Sequence, residues 1–194
     1  MTAIDNDAGR RCAVLLVNLG TPEAPTTAAV RKYLAEFLID GRVVEIPKPI
    51  WWLILHGIVL RVRPSKSAHA YQSIWMEEGS PLMVFSRRLT DAVRQELSAR
   101  LGQEAVVELA MRYGKPAIAA QLAALRDQGF TRFLILPLYP QYSAPSTGTV
   151  FDAVADALKR WRAVPDIRFV RDYHDHPGYI AAVADSIQIG RAHV

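Results

Sequence analysis

Polar and aromatic side chains cluster directly after four apolar runs of this chain. Val17-Asn18-Leu19-Gly20-Thr21-Pro22 follows residues 13–16, and Arg112-Tyr113-Gly114 follows residues 105–111. Tyr139-Pro140-Gln141-Tyr142-Ser143 follows residues 132–138, and Arg171-Asp172-Tyr173-His174 follows residues 167–170. If the runs are parallel strands, these loops open on one edge of a sheet, where α/β domains hold their ligands. Tyrosine walls with a few arginines suit a flat, hydrophobic ligand that carries carboxylates. The same composition also decorates α/β surface loops that bind nothing, so residue type alone leaves both readings open.

Other chemistries fit less well. Leu19-Gly20-Thr21-Pro22 lacks the G-x-G-x-x-G spacing that wraps a pyrophosphate, and no P-loop or G-x-S-x-G elbow occurs. Cys12 is the one cysteine, which excludes an internal disulfide and a Cys-x-x-Cys pair. It is expected to be a buried or incidental thiol of a protein from a reducing cytoplasm. His174 and His176 stand two apart with no third ligand nearby, and His176 sits where a helix N-cap belongs, before Pro177. No metal site is assigned to them. His56 and His69 are expected to be structural or surface residues.

The elements that position these loops follow from periodicity. Strands are expected at 13–19, 105–111, 132–138 and 167–170. Thr26 or Thr27 caps a helix with Val30, Tyr33, Leu34, Phe37 and Leu38 on one face. Ser80-Pro81 is a cap followed by a first-turn proline. The helix after it carries Phe85, Leu89, Val93, Leu97 and Leu101, a stripe expected to pack in the core. Pro116 opens a helix with Ile118, Leu122 and Leu125 inward, and Gly129 stops it. Thr147 is expected to cap a helix with Phe151, Val154, Leu158 and Trp161 inward. Pro177 begins a last helix through Ile180, Val183 and Ile187. Alternating strands and helices imply an α/β fold, a central parallel sheet flanked by helices and joined by right-handed crossovers.

The 194 residues, 51% hydrophobic and 22% charged, suffice for one folded domain with a full core. A net charge of +4 permits an anionic ligand or an anionic lipid surface. The basic residues are scattered and frame no nucleic-acid motif, so no nucleic-acid partner is expected. Residues 1–12 are expected to be disordered or extended, and nothing in them reads as a signal peptide. Residues 50–60 are nearly all apolar but too few to cross a bilayer, which takes about 20. With Trp51 and Trp52 beside Lys48, Arg61, Arg63 and Lys66, they read either as a buried helix or as the lip of a greasy pocket touching a membrane surface. The last six residues, Ile189-Gly190-Arg191-Ala192-His193-Val194, match the translation of a sequencing-adapter DNA. They read as a non-native tail that breaks the preceding helix at Gly190.

The loops together resemble those of ferrochelatases, which insert ferrous iron into a porphyrin. The resemblance rests on Leu15-Leu16-Val17-Asn18-Leu19-Gly20-Thr21-Pro22, Glu78-Gly79-Ser80-Pro81-Leu82, Met111-Arg112-Tyr113-Gly114 and Tyr139-Pro140-Gln141-Tyr142-Ser143, with the stretch 172–179. It implies a fold of two Rossmann-like lobes with the porphyrin between them, of which residues 13–188 form the first, including a lip at about 41–79. The second lobe is missing. By the matching motifs, Leu19 touches the macrocycle face and Arg112 and Tyr113 line the inner wall. Arg63 and Ser80 meet the porphyrin carboxylates, and Tyr142 and Ser143 lie on the cleft floor. The family's metal-handling His and Glu match no residue here, so no catalytic residue is assigned and the fragment is expected to be inactive alone. The implied whole is a lyase of haem biosynthesis that takes protoporphyrin IX and ferrous iron as substrates, with no cofactor bound in these residues. It is expected in the cytoplasm, in peripheral membrane contact through residues 50–60. The lone cysteine excludes an iron–sulphur cluster within the stretch. Two alternatives stand beside this: a non-catalytic porphyrin- or membrane-surface-binding module, and a chelatase for coproporphyrin III or another metal.

Overall fold

The runs form a parallel sheet whose central strands are buried on both faces, while the edge run 166–169 alternates between exposed and half-buried residues. In the computed structural model, which describes the backbone of residues 11–191 and the side chains of 11–187, the strands are β1 (Cys12–Gly20), β2 (Val106–Tyr113), β3 (Arg132–Pro137) and β4 (Asp166–Phe169). Their order is β2-β1-β3-β4 and every pairing is parallel. The fold is α/β, as the alternation implies. The helices are α1 (Thr27–Leu38), α2 (Lys48–Ile54), α3 (Leu60–Ile74), α4 (Pro81–Leu101), α5 (Ile118–Asp127), α6 (Thr149–Leu158) and α7 (Pro177–Arg191).

Odd-numbered residues of β1 and β3 (Leu15, Val17, Phe133, Ile135) face α5 and α6 and bury against Ile118, Leu122, Val150 and Val154. Each such side chain contributes about 1.5–3 kcal/mol through removal from water. Even-numbered residues face α4, with Leu16 packing among Val107, Leu109 and Met111 of β2. A third cluster lies at the cleft end, where Val30, Tyr33 and Leu34 of α1 meet Leu55, Leu60 and Tyr113.

Several expectations change. Phe85, Leu89 and Leu101 of α4 are exposed (58%, 45% and 59%), while Ser86 and Thr90 are buried. The rotation has a polar cause: Asn18 Nδ2 at the end of β1 donates to Ser86 Oγ, and Thr90 Oγ1 donates to the Ser86 carbonyl. Phe151 is likewise exposed, resting edge-on against Phe169. Thr147 is not a helix cap, because a π turn over Ala144–Gly148 intervenes before α6. Cys12 is exposed and starts β1 rather than preceding it. Arg112 and Tyr113 belong to β2, which runs past the loop expected there. The backbone stays helical through Gly190 to Arg191, so no break occurs there. Most of the expected N-terminal and C-terminal tails, residues 1–10 and 192–194, lies outside the described residues; Arg11 anchors by donating to the Gln128 carbonyl.

Residues 48–74 form a nearly continuous helical arm, α2 leading through a π turn (Leu55–Val59) into α3. Trp51 Nε1 donates to the Leu38 carbonyl at 2.6 Å and fixes the arm to α1. Leu55 and Leu60 are buried, while Ile50, Trp52, Leu53, Ile58 and Val62 are exposed. The arm thus carries both buried and exposed apolar residues. Among the described residues, no helix is long and apolar enough to cross a membrane.

Candidate functional site

The four polar loops meet at the C-terminal edge of the sheet. Registration of Gly20 with Tyr113 sets Leu19 beside the end of β2. The approach is close: a Cβ at Gly20 would lie 1.9 Å from the Tyr113 carbonyl oxygen, and φ there is +109°. Only glycine satisfies both demands. Leu19 packs, half-buried, into the cluster that contains Tyr113 and Phe37. Its backbone N–H donates to Asn18 Oδ1.

Arg112 and Tyr113 converge on one carboxylate. Arg112 Nη2 donates to Asp40 Oδ2 at 2.5 Å, and the Tyr113 hydroxyl donates to the same oxygen at 2.9 Å. The guanidinium lies 4.4 Å above the Tyr113 ring centroid. The Arg112 and Asp40 side chains are only 18% and 11% exposed, so this pair is poorly screened by water. Burial raises the Tyr113 hydroxyl above its ordinary value, with Asp40 adding to the effect. Burial raises Tyr139 likewise. Four polar atoms near these strand ends, Arg112 Nε, Tyr139 Oη, Thr21 Oγ1 and Thr147 Oγ1, are buried without a hydrogen-bond partner.

The Asp40 turn reaches the far loop through Arg42. Arg42 N donates to Asp40 Oδ1, and its guanidinium forks onto both carboxylate oxygens of Asp152 on α6. A Cβ placed on Gly148 would meet Arg42 Cδ at 3.3 Å and the Tyr142 hydroxyl at 3.5 Å, so Arg42, Gly148 and Tyr142 share one corner. Tyr142 is 44% exposed and stacks under the Arg171 guanidinium. Ser143 starts the π turn, its carbonyl accepting from Gly148 N and its Oγ 2.5 Å from Ser146 Oγ. A cavity of about 440 Å³ opens here, lined by Tyr139, Tyr142, Ser143, Ser146, His174 and Tyr179. His176 serves the start of α7, its Nδ1 accepting from Gly178 N. Among the described residues no group of three His, Cys, Asp or Glu could hold a metal ion.

Leu19, Arg112 and Tyr113 therefore lie together at the end of β1 and β2, while Tyr142 and Ser143 line the separate cavity of the next loop and are linked to them through Asp40, Arg42 and Gly148. Ser80 and Arg63 are placed differently. Ser80 is 2% exposed, and its Oγ accepts from Met83 N as the cap of α4. Arg63 stands exposed on α3, with no ion-pair or hydrogen-bond partner among the described residues. No contact ties either residue to the Asp40 group. Asp40, Arg42 and Asp152 were not singled out from sequence. The one signal for Asp40 is a lone acid two residues past the apolar face of α1.

A model of the family described as Ferrochelatase matches residues 11–194. The chain is 54% identical to a ferrochelatase of Nitrosococcus oceani over 94% of its own length and 50% of that protein's. It is 58% identical to a ferrochelatase of Polaromonas sp. over 91% of its length and 48% of the relative's. It is 56% identical to ferrochelatase 2 of Shewanella oneidensis over 92% and 54% respectively. The chain thus spans about half the length of the curated relatives it matches.

Proposed function

The chain belongs to the ferrochelatase family, and from that premise we propose that the full-length protein inserts ferrous iron into protoporphyrin IX in haem biosynthesis, a lyase reaction, with these residues forming one wall of the porphyrin cleft. The observation that carries the reading is the convergence of Leu19, Arg112, Tyr113 and Tyr142 at one sheet edge, beside an arm that exposes Trp52, Leu53 and Ile58.

A porphyrin holds its nitrogen lone pairs in the ring plane and carries two pyrrole protons. Insertion replaces both protons by the ferrous ion, so the site must grip the disc, bend it and accept two protons. Rigid apolar walls supply the grip. Arg112, its charge balanced by Asp40 and its plane held over the Tyr113 ring, supplies a rigid part of the wall. Arg63, unpaired and exposed, is free to meet a propionate by a charge-assisted hydrogen bond. Ser80 reaches a carboxylate only if its cap contact opens. Proton and metal handling fall to a His and a Glu outside these residues, so the fragment alone forms no haem. The apolar lip favours the less charged protoporphyrin over coproporphyrin. Its exposed Ile50, Trp52 and Leu53, flanked by Lys48, Arg61 and Lys66, suit a peripheral seat on an anionic membrane from the cytoplasmic side.

Titration of the 194-residue chain with protoporphyrin IX, read by Soret absorbance and porphyrin fluorescence, tests the site. Arg63→Ala is expected to weaken binding and leave the fold intact by circular dichroism. Binding unchanged in Arg112→Ala removes that residue from the site. Haem formation by the chain at the rate of a full-length relative overturns its inactivity. Absence of any porphyrin binding by the folded chain counts against the cleft itself.

A further inference from the structure

The Tyr142–Ser143 loop stands apart from the wall formed by Leu19, Arg112 and Tyr113. A flat ligand gripped between two such surfaces needs their separation held to within about 0.5 Å. Little within the loop itself fixes it. The π turn over Ala144–Gly148 and the start of α6 carry no side-chain cap. Gly148 N donates to the Ser143 carbonyl, and Thr149 Oγ1 donates to the Ser146 carbonyl. Those bonds are local. They shape the turn and leave its place relative to β2 to other contacts.

The turn between α1 and α2 makes one such contact. The Asp40 carbonyl accepts from Val43 N and Val44 N, its Oδ1 accepts from Arg42 N, and its Oδ2 accepts from Arg112 and Tyr113. The backbone of Arg42 is therefore held against the Arg112–Tyr113 wall. Its side chain reaches α6, where Nε and Nη2 fork onto the two oxygens of Asp152 in the first helical turn. A guanidinium fork fixes orientation as well as distance, which a lysine ammonium does not. The same side chain lies over Gly148, where a Cβ would meet Arg42 Cδ at 3.3 Å and Nη1 at 3.4 Å. The Tyr142 hydroxyl is 3.5 Å from that point, and the Arg171 guanidinium covers the Tyr142 ring at 4.6 Å. With side chains 41% and 40% exposed, the Arg42–Asp152 pair adds little to global stability. Its consequence is geometric.

We propose that Arg42 is a positioning residue of the porphyrin site. It spans from the Asp40–Arg112–Tyr113 wall to α6 and, through Asp152, sets where the Tyr142–Ser143 loop stands against that wall. Arg42 itself touches no porphyrin. The proposal rests on the porphyrin reading given above.

The test titrates protoporphyrin IX into this chain joined to the part of the Nitrosococcus oceani relative that it does not cover, or into the 194-residue chain where the joined protein does not fold. Arg42→Gln and Asp152→Asn are each expected to weaken binding about tenfold by misplacing the loop. The double variant is expected to bind no worse than either single one, because both remove the same fork. Arg42→Lys is expected to bind as poorly as Arg42→Gln. Amide hydrogen exchange over residues 143–149 is expected to quicken about tenfold in all of these variants, with the amides of β1 unchanged. Unchanged affinity in Arg42→Gln, where the parent protein binds, overturns the proposal alone. So does full affinity in Arg42→Lys, since charge without the fork then suffices. So does tighter binding in Asp152→Asn, since Arg42 then meets the porphyrin itself. No binding by the folded parent protein overturns the porphyrin reading and this proposal with it.

Discussion

The cleft end of β2 and the outer flank of α4 depart from the usual partition of side chains in opposite directions. At the first, Arg112, Asp40 and the Tyr113 hydroxyl are withdrawn from water. At the second, Phe85 and Leu89 are left in it. The buried charges carry their own compensation: one carboxylate oxygen takes two donors, and an aromatic ring backs the cation. The exposed apolar side chains are covered by little among the described residues, Phe85 meeting only the Arg88 guanidinium at 5.7 Å from its ring centroid. A polar group can be satisfied by a single partner at 3 Å, whereas apolar surface needs area, and area must come from another element. The charges of the first region are therefore balanced within these residues, although Arg112 Nε and Tyr139 Oη stay without a hydrogen-bond partner among the described residues.

The contrast can be broken most forcefully at Asp40. Asp40→Ala leaves Arg112 charged and unpaired in a poorly hydrated site and is expected to cost about 3 kcal/mol, read by urea unfolding. A loss near zero means that water replaces the carboxylate and the region is no more closed than α4. Alkaline pH probes the same closure. The Tyr113 hydroxyl is raised above its ordinary value of 10.0 by burial, so the folded state holds this proton more tightly than the unfolded chain. Its contribution is intact below about pH 10 and is lost as pH rises further, since the unfolded state then releases the proton first. Phenolate absorbance should therefore show tyrosines that ionise only with unfolding. Ser80→Ala, which removes the cap of α4 without touching its exposed face, is expected to cost about 1 kcal/mol by the same unfolding assay. Arg42→Ala, which breaks an ion pair with both partners about two-fifths exposed, should leave the unfolding midpoint unchanged in high salt. Smallest is Leu89→Ser in the isolated chain, expected within about 0.5 kcal/mol of the parent. A large loss there means that the stripe is packed after all.

Legibility followed the range of the forces involved. The strands were readable because runs such as 13–17 and 133–136 are apolar without interruption, and Thr26 and Ser80 announce helix starts through contacts three residues away. The loop residues Leu19, Arg112, Tyr113, Tyr142 and Ser143 were readable as a group because parallel strands share a direction. Asp40 was not, because its partners lie 72 and 73 residues further along the chain. Thr147 failed as a cap because Ala144–Gly148 coil into a π turn that local propensity does not report. The α4 stripe was right in part: Val93 and Leu97 pack against the β2 side of the sheet, whereas Phe85, Leu89 and Leu101 face outward on a helix whose Ser86 is held by Asn18.

The sequence by itself determined the alternation of strand and helix, the apolar strands, the caps and the edge at which the polar loops gather, because each depends on periodicity or on neighbours within a turn. Only the tertiary structure decided that Asp40 holds Arg112 and Tyr113, that the arm 48–74 divides into buried and exposed residues, and that α4 leaves Phe85, Leu89 and Leu101 in solvent while Val93 and Leu97 pack. Those outcomes depend on which distant groups compete for the same space and the same hydrogen bonds. That competition is resolved only when the layers pack.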